Sequence, residues 1–141
     1  IVMHMKGRPE NMQKNPFYED VIDEILSFFE TKLKEIEKKG IDRERIIIDP
    51  GIGFGKRYED NIRILREIDV FKGFGLPIMV GHSNKSFMKR IYEEDYKKFR
   101  ETGTLGFTAY LVHKNIDYIR VHNLSGNHAV LKGISVLYSE K

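Results

Sequence analysis

One stretch, IIIDPGIGFGK at residues 46–56, constrains the fold more than any other part of the chain. Its three successive isoleucines, with no polar residue between them, predict a short strand that is buried on both faces. Asp49 and Pro50 end this strand, because proline has no N–H to donate to a neighbouring strand. Three alternating glycines follow, and glycine lets the backbone approach a ligand closely. In parallel α/β proteins ligands bind at this end of a strand, so the stretch predicts a binding loop.

The loop does not have the spacing of a nucleotide-binding P-loop, and it lacks the serine or threonine that such a loop requires. Lys56 follows the last glycine. Two interpretations of the loop stay open on composition alone. It is either a ligand site or an ordinary glycine turn with a solvated lysine.

The rest of the chain has the pattern β-α-β-α-β-α-β-α. We expect strands at residues 1–5, 46–49, 76–81 and 118–122. We expect helices at residues 15–40, 58–71, 87–92, 102–114 and 127–138, and a loop or frayed helix at 93–98. In the first helix, Asn15 is the predicted N-cap, Pro16 the first helical residue and Gly40 the C-terminal cap.

Four βα units in succession predict an α/β fold with parallel strands and outer helices. They make a (β/α)4 half of a (β/α)8 TIM barrel, whose complete form needs about 250 residues. The alternative is a small doubly wound sheet with helices on both faces. We expect residues 1–141 to form a single domain. The chain opens with Ile1 inside an apolar strand pattern, which suggests a fragment.

Composition excludes several classes of protein. A formal net charge of +3 is too small to indicate a nucleic-acid partner. No apolar run approaches the roughly 18 residues that a membrane span needs, so we expect no membrane partner. The chain has no cysteine, which excludes disulfides and thiolate chemistry and fits a cytoplasmic location.

Polar residues follow every predicted strand, and in a parallel sheet these ends share one rim. One carboxylate, several cations and several hydrogen-bonding groups suit an anionic ligand that carries a polar heterocycle. A zinc site built from three rim histidines is the alternative, although their spacing is not that of paired ligands. The rim residues are His4, Lys6, Asp49, Lys56, His82, Ser83, Lys85, Arg120, His122 and Asn123.

Several motifs together resemble the dihydropteroate synthase family, in the family's order and spacing. They are MHMKGRPENMQ from Met3, DPGIGFGK from Asp49, VGHSNKSF from Val80, GT from Gly103 and IRVH from Ile119. The resemblance covers essentially the whole chain and matches the C-terminal half of the family, strands five to eight of its barrel. It implies a transferase of folate biosynthesis that condenses dihydropterin pyrophosphate with p-aminobenzoate. It also implies Mg²⁺, with its main protein ligand in the N-terminal half.

The resemblance further implies a role for each rim residue. Asp49 would hydrogen-bond the amino-pyrimidine edge of the pterin, and Lys85 would contact the pterin carbonyl and a ring nitrogen. Arg120 would lie over the ring and reach the pyrophosphate together with His122. Lys85, Arg120 and His122 would therefore be catalytic, and Ser83 would meet the p-aminobenzoate carboxylate. The pterin pocket would also be lined by Met3, Gly53 and Phe54.

Two positions depart from the family pattern. Asn84 stands where the family usually has arginine, and Asn123 stands where it usually has aspartate. The first departure affects the p-aminobenzoate site and the second the surroundings of the pyrophosphate. No base is evident beside Ser83 in the sequence, which argues against a Ser/His hydrolase.

Two other functions compete with the synthase. One is a pterin-binding methyltransferase domain, and the other is a non-catalytic half-barrel that self-associates through its exposed strand edges. We expect the isolated chain to be inactive, or severely impaired, without the N-terminal half. We also expect it to form a homodimer or to associate with that half.

Overall fold

A computed structural model describes residues 1–8, 10, 12 and 15–138 of the chain. The predicted breaker Pro9, with Asn11 and Gln13 of the first motif, lies outside the described residues. The strands are β1 (Val2–Met3), β2 (Ile48–Asp49), β3 (Met79–Val80) and β4 (Tyr118–Ile119). The α-helices are α1 (Val21–Lys38), α2 (Tyr58–Arg66), α3 (Lys89–Tyr92), α4 (Tyr96–His113) and α5 (Leu124–Tyr138). The 3₁₀ helices are Arg43–Arg45, Ile68–Phe74, Ser86–Met88 and Glu93–Asp95.

The strands are parallel and follow one another in chain order. β1 pairs with β2, and β3 pairs with β4. A parallel bridge between Ile48 and Ile78 joins the two pairs. The predicted α/β class with parallel strands is therefore confirmed.

Each strand is shorter than its apolar run. Only two residues of each run are regularly paired as a strand. Backbone hydrogen bonds continue the pairing beyond those two residues. The Val2 N–H donates to the Ile47 carbonyl at 2.8 Å, and the Arg120 N–H donates to the Val80 carbonyl at 3.0 Å. The four apolar runs therefore lie side by side, and the residues that follow them meet at one edge.

The first helix begins later than Asn15 and Pro16 suggest. Asp20 is its N-cap, and the Asp20 carboxylate accepts hydrogen bonds from the N–H groups of Ile22 and Asp23. Asn15 instead adopts a φ of 49°, which is incompatible with an N-cap conformation. The helix ends at Lys38, two residues before Gly40, whose φ of 75° is the left-handed geometry typical of a glycine past a helix end.

Other helix ends also differ from the pattern. α2 ends at Arg66, and a 3₁₀ helix follows it. Residues 93–98, expected to be a loop or frayed helix, contain a 3₁₀ turn and the start of α4. α5 begins three residues before Asn127, because the Asn123 side chain accepts a hydrogen bond from the Gly126 N–H at 2.9 Å.

The core lies between the sheet and α1, α2 and the following 3₁₀ helix. The Phe29 ring is fully buried and meets Phe71 edge-on at a centroid distance of 6.1 Å. Ile25 of α1 and Ile64 of α2 are also fully buried. The apolar stripe of α1 thus faces the sheet as its periodicity predicts. Among the described residues, no helix is both long and apolar enough to span a membrane.

Candidate functional site

The glycine loop after β2 closes against the chain that leaves β1. A Cβ at Gly51 would lie 1.9 Å from the His4 carbonyl oxygen, and one at Gly55 would lie 2.1 Å from the Lys6 carbonyl oxygen. Both glycines also have positive φ angles. A side chain at either position would therefore clash with backbone, so this path of the loop requires glycine.

Lys56 lies underneath this loop, and its side chain is buried rather than solvated. Its ammonium contacts His4 Nδ1 at 3.0 Å and donates to the carbonyl oxygens of Phe54 at 3.1 Å and His4 at 3.3 Å. Burial lowers the pKa of Lys56 to about 7, and burial together with the Lys56 charge lowers the pKa of His4 to about 3. The solvated-lysine interpretation is wrong, because the His4 ring and the carbonyl oxygens of His4 and Phe54 enclose the ammonium.

Asn61 supports the same loop, although the motifs do not mark it. The Asn61 side chain is buried, accepts a hydrogen bond from the Gly53 N–H at 2.7 Å and donates to the Lys56 carbonyl at 3.3 Å. The sequence signal for this role is a polar residue on the inward face of α2, where Ile64 and Leu65 are also buried.

Asp49 supplies a buried carboxylate at the end of β2. Its side chain is 1% exposed, and Oδ1 accepts a hydrogen bond from the Gly51 N–H at 2.8 Å. Its Oδ2 lies 3.4 Å from Arg120 Nη2. Burial raises the pKa of the Asp49 carboxyl, while the Gly51 N–H and the nearby cations act in the opposite direction. Such a group has a strong need for additional hydrogen-bond donors.

Lys85 and Phe54 form the second side of the site. The Lys85 ammonium lies 3.9 Å from the centroid of the Phe54 ring. A Cβ at Gly53 would come within 2.9 Å of Lys85 Cδ, so glycine leaves the space that the lysine stem occupies. Burial and the charge of Arg120 lower the pKa of Lys85.

Arg120 of the chain after β4 is the third member of the cluster. Its guanidinium packs over Gly81, where a Cβ would come within 3.0 Å of Nη2. The same Nη2 lies 3.9 Å from the Met3 sulfur. The Arg120 side chain is 54% exposed, whereas that of Asp49 is buried. The ion pair therefore joins an exposed guanidinium to a buried carboxylate.

Ser83 and His122 meet beside this cluster. Ser83 Oγ lies 2.9 Å from His122 Nδ1 and accepts a hydrogen bond from the His122 N–H at 3.2 Å. The expectation that Ser83 has no base beside it is wrong, because strands β3 and β4 are neighbours and bring the two side chains together. Ser83 is 2% exposed.

Some of the rim residues do not reach the cluster. Lys6 pairs with Glu24 of α1 at 2.6 Å. His82 is buried and contacts Thr108 of α4, while Asn123 caps α5. The histidines are therefore held by separate partners. Within the described part of the chain, no three histidine, aspartate or glutamate side chains lie together as metal ligands would.

Comparison with known families identifies the proteins that this chain resembles. The profile of the family described as "Pterin binding enzyme" matches residues 1–122. The chain belongs to the pterin-binding enzyme family. The resemblance to dihydropteroate synthases that its motifs predict is also confirmed by its relatives.

Two relatives are the dihydropteroate synthases of Synechocystis sp. and Haemophilus influenzae. The first is 36% identical over 98% of this chain and 48% of its own length. The second is 33% identical over 93% of this chain and 47% of its own length. The crystal structure of Yersinia pestis dihydropteroate synthase, solved with a sulfonamide drug complex, superimposes with a TM-score of 0.91 at 29% identity, over 99% of this chain and 50% of that one. The chain thus spans about half the length of these proteins.

Proposed function

We propose that the chain is the C-terminal half of a dihydropteroate synthase, a transferase of folate biosynthesis. It would take part in condensing 6-hydroxymethyl-7,8-dihydropterin pyrophosphate with p-aminobenzoate. Its relatives support this proposal, because those reported above are named dihydropteroate synthases and this chain aligns with about half of each.

The strand order supports a half-barrel as the form of this chain. Four parallel strands in sequential order, joined by right-handed crossovers, would place every helix on the same side of a curving sheet. A doubly wound sheet would instead reverse its strand order part-way. Residues 1–141 would then form one domain, and the strands of the other half of the relatives would complete the barrel.

The observation that carries the proposal is the convergence of Asp49, Lys85 and Arg120 at one rim. A pterin has a flat ring with adjacent N–H donors on its pyrimidine edge, which match the two oxygens of a buried carboxylate. Arg120 would cover the ring face, and Lys85 would donate to the ring carbonyl. Met3 and Phe54, which contact these two cations, and Gly53 would line the pocket.

The chemistry then requires charge neutralisation rather than a protein nucleophile. The bond between the pterin methylene carbon and the pyrophosphate oxygen breaks, and the pyrophosphate leaves with the electron pair. The p-aminobenzoate nitrogen attacks the methylene carbon, forms the C–N bond and loses a proton. Arg120 and His122 would stabilise the leaving pyrophosphate, an electrostatic contribution in a partly dry site.

The magnesium site depends on more than the described residues. The reaction in this family is expected to use Mg²⁺, but Asp49 already binds the Gly51 N–H and Arg120. Among the residues that the structure describes, no three metal-ligating side chains lie together. The residues present therefore do not make a magnesium site by themselves, and the N-terminal half would supply the main ligand.

Ser83 remains our proposed p-aminobenzoate contact, although its hydroxyl already engages His122.

Calorimetry with 6-hydroxymethylpterin tests the pocket directly. We expect the native chain to bind and the Asp49→Asn variant to bind about tenfold or more weakly, because the amide presents a donor where the ring needs an acceptor. Asp69→Asn is the matched control, since Asp69 is an exposed carboxylate that pairs with Lys72 and Lys114. Equal affinity in all three proteins would remove Asp49 from the proposed role.

A self-associating half-barrel without catalysis is the second candidate, and one observation favours it. Large apolar side chains are exposed on the last strand and helix, among them Tyr118 at 48%, Val136 at 71% and Leu137 at 81%. Such a surface favours association with another chain. Light scattering separates the cases: a defined dimer or larger species supports self-association, and a monodisperse monomer contradicts it.

A further inference from the structure

A chain of buried hydrogen bonds lies beneath the site and outside the proposed chemistry. His82 Nε2 lies 2.8 Å from Thr108 Oγ1, and the Thr108 hydroxyl donates to the Asn127 side-chain oxygen. The Asn127 side-chain NH₂ donates in turn to the Asn123 carbonyl at 2.6 Å. His82, Thr108 and Asn127 are each at most 1% exposed.

The three hydrogen bonds all run in the same direction, from His82 towards Asn123. Because the Thr108 hydroxyl gives its hydrogen to Asn127, it accepts from His82, which must carry its proton on Nε2. Burial lowers the pKa of His82, which favours the neutral ring, while the Thr104 and Val80 backbone acts in the opposite direction. Aligned hydrogen bonds strengthen one another in a low-dielectric interior.

Two peptide bonds and one further hydrogen bond join the two ends of this series into a closed ring at the candidate site. Its first residue, His82, precedes Ser83, and its last, Asn123, follows His122. Ser83 and His122 are themselves hydrogen-bonded at 2.9 Å. The ring therefore ties β3, α4 and α5 together through Ser83, His122, Asn123, Asn127, Thr108 and His82.

We propose that Thr108 is a positioning residue, which sets His122 against Ser83 through the turn between β4 and α5. Thr108 touches no substrate in this account, and it acts through Asn127 and Asn123. The inference rests on the proposed function in one respect only, which is that His122 stabilises the leaving pyrophosphate. The placement of His122 can be measured without any ligand.

The test compares Thr108→Val with Thr108→Ser in the full chain. Valine has the same shape but leaves His82 Nε2 and the Asn127 oxygen unpaired in the core, whereas serine keeps the hydroxyl. Hydrogen exchange followed by NMR reports on the His122 amide, which donates to Ser83 Oγ. The His4 amide, which donates to the Asp49 carbonyl at 2.9 Å in the β1–β2 pair, is the internal reference.

We expect Thr108→Val to raise the exchange rate of the His122 amide about tenfold relative to the His4 amide, and Thr108→Ser to restore it. A uniform rise at both amides, or no change at His122, would overturn the proposal. If the valine variant does not fold, Thr108→Cys, whose thiol is a weak donor, should show a smaller rise confined to His122.

A titration with inorganic pyrophosphate separates this inference from the proposed function. If positioning and function are both right, the native chain and Thr108→Ser bind pyrophosphate, and Thr108→Val binds about tenfold more weakly. Failure of the native chain to bind would count against the proposed pyrophosphate site, while the exchange result would still decide the role of Thr108. Equal binding by the valine variant and the native chain would overturn the positioning role.

Discussion

At the scale of single residues, His4 and Lys56 show how burial makes the chain sensitive to pH. The pKa of His4 falls from 6.5 to about 3 in the folded chain. Between these values the unfolded chain holds one more proton, so stability is lost as the pH falls through this range. The pKa of Lys56 falls from 10.5 to about 7, so its effect is a gain of stability as the pH rises through that higher range.

His4→Asn should remove the first of these effects. The asparagine side chain can still accept from Lys56 but does not titrate. We expect the stability difference between native chain and variant to change by roughly 4 kcal/mol between pH 6.5 and 3, as one proton per unfolding event implies. Urea unfolding at a series of pH values measures it, and a difference that is flat over this range would contradict the burial of a neutral His4.

Gly51 is the residue whose small size the site depends on most. Gly51→Ala places a methyl group 1.9 Å from the His4 carbonyl at a φ of 73°. We expect a loss of about 3 kcal/mol or more, or failure to fold, because both strain and overlap act there. Gly40→Ala is the control, since Gly40 has a φ of 75° but nothing within 4 Å, and it should cost only about 1 kcal/mol. Equal unfolding midpoints for the two variants would contradict the close packing of the loop on β1.

At the scale of elements, apolar periodicity predicts the order and type of the strands and main helices. It does not predict where helices start, because that depends on single side chains. The carboxylate of Asp20 and the amide of Asn123 each bind the first N–H groups of a helix. Asn15 has the right residue type for a cap, but its positive φ removes it from that role.

Asp20→Ala tests this assignment of the first helix. The variant loses the cap on Ile22 and Asp23 and the ion pair with Arg63 at 2.8 Å, so we expect about 1 kcal/mol less stability. Asp20→Asn keeps a capping oxygen and should lose less than Asp20→Ala. Thermal unfolding compares them, and an alanine variant as stable as the native chain would place the helix start elsewhere.

The candidate site divides in the same way between predictable and unpredictable parts. Asp49, Lys85 and Arg120 follow three apolar runs, and their meeting at one rim follows from parallel pairing alone. The burial of Lys56, the Ser83–His122 contact and the support from Asn61 do not follow from it. Each depends on which side chain fills the space between neighbouring elements, and that is set by tertiary packing.

At the scale of the whole molecule, this chain aligns with about half of each dihydropteroate synthase reported above. The pterin pocket proposed here lies on its own strand ends, whereas the main Mg²⁺ ligand is expected in the half of the relatives that this chain does not align with. We therefore expect this chain to bind a pterin but to show no catalytic turnover. The chain would hold a pterin without completing the reaction.

An activity assay tests that separation. With dihydropterin pyrophosphate, p-aminobenzoate and Mg²⁺, we expect no turnover above background from the chain alone. Adding the N-terminal half of a related synthase should give measurable product if the two halves complete one barrel. Full turnover by the chain alone would contradict the half-barrel proposal.

The most direct measurement is a crystal structure of this chain soaked with 6-hydroxymethylpterin. The proposal predicts the pyrimidine edge of the ligand on the Asp49 carboxylate, the ring beneath the guanidinium of Arg120 and the ammonium of Lys85 at the ring carbonyl. A pterin bound elsewhere, with Asp49 still bound only to Gly51 and Arg120, would contradict it.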